Sequence, residues 1–188
     1  MASRLHLTIA DGLYAVRKAM NRKLVHILMT VVISAGAFSF ASAQTSLPSL
    51  NGGTIDVQAQ KGKVVVLAIG ASWLPLSSKQ AEFTTALAKK YAGKNVVVYF
   101  VATDSTNPRS KNHATDDQIR QWATGNRLTV PILRDSDGTA VMQKFAVDQL
   151  PAFIVLDKNG NQSGDAFGGI DPKYDITVPI SKKVDSLL

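Results

Sequence analysis

Lys63 to Gln80 reads KVVVLAIGASWLPLSSKQ, and the fold is decided there. Val64 to Ile69 is an unbroken β-branched and aliphatic run. A strand exposed on one face would alternate polar with apolar residues, so this one predicts a central strand covered on both faces. Gly70 closes it, and a turn carrying Trp73 and Pro75 leads into a polar segment with helical spacing. Phe83, Leu87 and Tyr91 recur at four-residue steps and form one apolar stripe. Gly93 stands where such a helix should end. Ser77 and Gln80 have the Ser-x-x-Gln spacing of a capping box, which predicts that Ser77 caps the helix start.

Downstream, Asn95 to Asp104 (NVVVYFVATD) is a second buried strand. A polar loop holding Asn107-Pro108 precedes TDDQIRQWATGN, where Thr115 and Gln118 again have capping-box spacing and Asp116 and Asp117 suit a helix N-terminus. TVPILRDSDG is a short extended piece ending in a turn, and TAVMQKFAV is a short helix. Pro151 to Asn161 is a third strand with a hairpin turn, SGDAFGGI its expected partner strand, and DITVPISKKVDSLL a last helix. Upstream, Asn51-Gly52-Gly53 marks a tight turn between short extended pieces. The expected order is β-β-α-β-α-β-α-β-β-α, an α/β sandwich with a mixed central sheet and helices on both faces. Phe83, Phe100, Trp122 and Phe153 are the expected large core residues.

The chain has 188 residues and a net charge of +7. More than half of that excess lies in residues 1–43, which hold Arg4, Arg17, Lys18, Arg22 and Lys23 against Asp11 alone. No clustered basic footprint is visible in the rest, so nucleic acid is not an expected partner. Residues 1–43 read as an N-terminal extension plus signal peptide. From Met20, a complete leader begins: basic Arg22-Lys23, apolar Leu24 to Phe40, then Ala41-Ser42-Ala43 before a cut. Cleavage is expected after Ala43, leaving a single domain over 44–188 that is exported to the periplasm or secreted. The alternative is an uncleaved anchor, the one route by which a membrane enters the reading.

There is no cysteine. Thiol–disulfide exchange, thiol peroxidase chemistry and thiolate metal ligation are thereby excluded. Two stretches nevertheless carry a resemblance. LNGGTIDVQAQKGKVVVLAIGASW is similar to the opening of thioredoxin-like envelope thiol–disulfide oxidoreductases of the TlpA type, where the turn continues as Cys-Pro-Pro-Cys. VPILRDSDGTAVMQKFAVDQLPAFIVLDKNGN resembles the second half of that domain, which supplies a cis-proline opposite the active site. Kinship with the peroxiredoxins, of the AhpC/TSA kind, ranks second, on SSKQAEF. The resemblance covers about residues 50–170 and implies a three-layer thioredoxin-like sandwich.

Residue by residue, it sets Trp73 on the family tryptophan and Pro75 on the first inner proline. Leu74 then stands in place of the nucleophilic cysteine, Leu76 of the second proline and Ser77 of the resolving cysteine. Pro151 takes the place of the cis-proline, with Leu150 before it. A leucine has no ionisable group to replace a thiolate whose pKa a helix N-terminus lowers. The implied activity is therefore contradicted at its own site, and no catalytic residue, cofactor or metal is expected. Trp73, Leu74, Pro75, Leu76, Ser77, Leu150 and Pro151 become a candidate face for an extended peptide or protein partner, because pairing through backbone groups needs no cysteine.

Leu74 and Leu76 either form an exposed apolar patch or turn inward to fill the space of the missing thiols. An oxidoreductase or antioxidant role through a non-thiol group or bound cofactor is the alternative. Ser77 as a nucleophile would require a base, and the only histidine after Ala43 is His113, in the loop before the second helix. His113, Asp116 and Asp117 make a poor metal trio, since carboxylates at a helix start are ordinary dipole partners.

Overall fold

In a computed structural model, the structure describes residues 45–188; the leader and the expected cut after Ala43 lie outside the described residues. Among the described residues, seven strands and four α-helices follow one another. They are β1 (Ser46–Pro48), β2 (Thr54–Asp56), β3 (Val64–Gly70), α1 (Ser77–Lys90), β4 (Val96–Ala102), α2 (Asp116–Gly125), β5 (Ile132–Arg134), α3 (Thr139–Lys144), β6 (Ala152–Leu156), β7 (Phe167–Gly168) and α4 (Thr177–Asp185). The five-stranded sheet has the order β5-β4-β3-β6-β7. β3, β4 and β5 run parallel, β6 pairs antiparallel with β3, and β7 pairs antiparallel with β6.

The unbroken apolar run of β3 is explained by its place at the centre. Val64, Val66 and Ala68 point to one core, and Val65, Leu67 and Ile69 to the other. The first core takes Phe83 and Leu87 of α1, Ile119 and Ala123 of α2, and Ile180 and Val184 of α4. The second takes Val141 of α3, Phe145 and, from the β1–β2 hairpin, Leu47 and Val57. Helices cover both faces, as a largely parallel sheet requires. Ala68 pairs with Phe100 on one side and Phe153 on the other. A small residue thus stands between two fully buried rings, and Trp122 lies tilted on Phe100 at 5.2 Å between centroids. Both cores close within the described residues, which lie in one compact unit. This segment buries enough apolar surface to fold by itself.

Three expectations change. The extended pieces on either side of the glycine turn are both strands, so the chain opens β-β-β before α1 where the expected order had β-β. The partner of β6 shrinks to Phe167–Gly168, because Gly164 and Gly169, in left-handed conformations, interrupt extended pairing. α1 ends at Lys90, with Tyr91 as its cap, two residues ahead of the positive-φ Gly93. Among the described residues no helix is long and apolar enough to cross a membrane.

Candidate functional site

β3 delivers the chain to the end of the sheet, and residues 71–76 turn it into α1. The turn is built from its own backbone: Leu74 N donates to Ala71 O at 3.2 Å and Ser77 N to Leu74 O at 3.2 Å. Leu76 is the N-cap, in a left-handed conformation (φ 66°, ψ 6°) and without a side-chain capping bond. This corrects the expected capping box. Ser77 is already the first helical residue, buried, and its Oγ donates back to Ser72 O at 3.2 Å. Gln80 does not return to the cap but goes into the core. Its Nε2 donates to Ile69 O and to Ala152 O, both at 3.0 Å. One amide therefore ties the ends of β3 and β6 together under the turn. Gln80 Oε1 is buried without a partner. It lies 2.1 Å from where a side-chain Cβ would stand at residue 70, so any residue other than glycine there must displace the Gln80 amide.

Ile69 and Ala152 are register partners, which sets the segment before β6 directly beside the turn after β3. The Leu150–Pro151 peptide is cis. Pro151 is buried, and Leu150 is half-buried against the second core. Around it the turn presents apolar groups: Trp73 is 49% exposed, Leu76 38%, Pro75 is exposed and Leu74 half-buried. Neither Leu74 nor Leu76 packs into either core cluster. Of the two expected outcomes, the apolar patch is the one observed for Leu76, while Leu74 lies between patch and interior.

The residue missed in the sequence is Asp104. It is fully buried just past the C-terminal end of β4. Both carboxylate oxygens accept from Ser72 N at 3.1 Å, and Ser72 Oγ donates to Oδ1 at 2.5 Å. A carboxylate closing the apolar run VVVYFVATD was the available signal, because ligand-side groups of parallel sheets stand at strand C-termini. Its bonds fasten the start of the turn to the neighbouring strand. At the same end, the hydroxyl and amide of Thr177 donate to the Asp175 carboxylate at the head of α4 and hold it below the ordinary carboxylate range. The charge of Lys79 acts in the same direction.

Ser77 has no hydrogen-bonded histidine or carboxylate to act as a base: its hydroxyl is committed to Ser72 O. His113 Nδ1 lies 3.0 Å from Ser105 O. Asp116 faces Arg134 and Asp117 pairs with Arg120, so these three do not converge. No group of three metal-ligating side chains gathers among the described residues. The site offers an exposed apolar surface with a pinned backbone beneath it and no activated nucleophile.

The sequence profile of the AhpC/TSA family matches residues 41–161. The chain is 31% identical over 115 residues to the thioredoxin-like protein YneN of Bacillus subtilis, covering 61% of this chain and 62% of that one. It is 28% identical over 111 residues to the thiol-disulfide oxidoreductase ResA of Bacillus cereus, covering 59% and 58%. The chain thus spans about three-fifths of the length of these curated relatives. Among solved structures, it resembles the exposed lipoprotein thioredoxin Etrx1 of Streptococcus pneumoniae, with a TM-score of 0.61 at 25% identity over 77% of this chain and 100% of that one. A thiol:disulfide interchange protein DsbE from Chlorobium tepidum superposes with a TM-score of 0.62 at 18% identity, over 76% and 91%. The fold is thioredoxin-like.

Proposed function

The chain belongs to the AhpC/TSA family of redoxins, and from that premise we propose that it is an exported, non-catalytic module that docks an extended segment of a protein partner. The observation that carries this reading is the turn itself. The thiol positions are filled by Leu74 and Ser77, yet Trp73 and Leu76 stay exposed beside Leu150-Pro151. Had the turn kept only a structural role, burying Leu76 would gain apolar contact, roughly 1.5–3 kcal/mol for a full side chain. An apolar patch held outward on a rigid support is what a docking surface requires. Export is supported by the leader pattern from Arg22 to Ala43 and by the likeness to an exposed lipoprotein thioredoxin.

The test titrates an extended apolar peptide into residues 44–188 carrying Trp122→Phe, which leaves Trp73 as the only tryptophan reporter. Saturable change in Trp73 emission is expected, and Leu76→Asp should weaken binding by about tenfold or more, since a charge in an apolar contact stays unpaired. Absence of saturation, or an affinity indifferent to Leu76→Asp, refutes the reading. Turnover of peroxide, of insulin with dithiothreitol, or of an ester that Ser77→Ala abolishes would replace it with an enzymatic one.

A further inference from the structure

α1 has an outer face that the fold leaves uncovered. Ser77, Gln80, Phe83, Thr84 and Leu87 go inward. On the other side, Ser78, Thr85 and Ala86 form the floor of a groove of about 490 Å³. Its walls are Glu82 and Lys89 of α1 and Arg127 of the loop between α2 and β5. Small side chains below and long ones beside them make a trough that runs along the helix. It starts at Ser78, in the same turn as Leu76, so it adjoins the Trp73–Leu76 rim. Thr85 Oγ1 donates to Arg127 O at 3.3 Å and fixes the loop against α1.

The charges in the groove are unequal. Lys79 Nζ donates to both carboxylate oxygens of Glu82, at 3.0 and 2.9 Å, so that acid is already paired. Lys89 and Arg127 are exposed, and among the described residues neither makes an ion pair. Arg127 is also strained. It stands at φ 54°, one residue past the α2 cap Asn126, where glycine would sit freely. The C-terminal pole of α2 favours a cation nearby, and its last turn could hold one without strain. That turn has none; the cation stands instead on the strained residue that walls the groove. We infer, on the premise that the Trp73–Leu76 rim docks an extended segment of a partner, that the segment continues into this groove and carries acidic side chains for Arg127 and Lys89. The spacing follows from the helix. From the turn of Leu76, α1 rises about 13 Å to Thr85, beside Arg127, and about 20 Å to Lys89. Extended chain covers these distances in roughly four and six residues, so the acids lie about four to six residues from the apolar anchor.

The test titrates three ten-residue peptides into residues 44–188 by calorimetry. Each begins with Leu-Val-Leu as the anchor, and they differ only at the fifth and sixth residues beyond it: glutamate, glutamine or lysine in a serine-threonine background. At low salt the glutamate peptide should bind about fivefold more tightly than the glutamine peptide. The lysine peptide should bind more weakly than either, and the differences should close at high salt. Arg127→Gly should remove most of the glutamate preference while its urea midpoint is no lower than the parent's. Arg127→Lys should retain most of the preference. Equal affinity for the glutamate and glutamine peptides, or a preference that Arg127→Gly leaves intact, overturns the groove. If Leu76→Asp still weakens all three peptides, the rim reading survives that result. A glutamate preference in a protein indifferent to Leu76→Asp would instead overturn the rim and keep the groove, and absence of binding by all three overturns both.

Discussion

Phe100→Ala is expected to lower the free energy of unfolding by about 3–5 kcal/mol. Phe100 is fully buried in β4, which has β3 on one side and β5 on the other. Both neighbours are held by ladder hydrogen bonds, so the backbone cannot close over the vacated ring, and Ala68 opposite is too small to fill it. Trp122 loses its ring contact as well. The cost thus combines lost transfer energy with a cavity that persists. Urea denaturation reads it as a lowered midpoint with unchanged slope. A loss below about 1 kcal/mol would mean that the ring has another environment.

Gly160→Ala is expected to cost about 2–5 kcal/mol. Gly160 has φ 85°, and a Cβ there would stand 2.1 Å from the main-chain oxygen of Gln58 and 2.9 Å from its carbonyl carbon. Backbone is on both sides of this contact, so no rotamer relieves it. The left-handed conformation costs roughly 1–2 kcal/mol for a residue with a Cβ, and forced overlap adds about 1–3. Gly164 separates the two contributions. Its φ is 83°, but the nearest atom to its Cβ position is the mobile Lys183 Nζ at 3.4 Å. Gly164→Ala should therefore lose only the conformational part, about 1–2 kcal/mol. Equal losses at the two positions would show that the clash is relieved by movement of the loop.

What the sequence allowed to be read follows from how local each signal is. β3 and β4 were legible because a strand covered on both faces has no polar positions, and that pattern needs no knowledge of its neighbours. The Thr115–Gln118 capping box formed as expected, with Gln118 N donating to Thr115 Oγ1 at 3.2 Å and Thr115 N to Gln118 Oε1 at 2.8 Å. The same spacing misled at Ser77 and Gln80. There the partners of Gln80 are carbonyls 11 and 72 residues away, and two buried acceptors outweigh one exposed cap. Nothing local reports that choice. The β7 partner was overextended because alternation stops being informative when glycines permit the chain to leave the sheet.

The candidate face was legible through resemblance, since the neighbourhood of Leu150-Pro151 and Trp73 depends on strand order that no spacing encodes. Asp104 was visible as an acid closing an apolar strand, but its role depended on Ser72 lying opposite.

Leu76 shows what this arrangement forgoes. A left-handed N-cap is a position where asparagine or glycine would sit with less strain. An engineer seeking heat tolerance would count this leucine among the residues to replace, and Leu76→Asn should raise the unfolding free energy by about 1 kcal/mol. Durability gained that way would remove one of the two exposed large side chains of the apolar rim, leaving Trp73 alone. If this face docks a partner as proposed, robustness and recognition make opposite demands on this one codon.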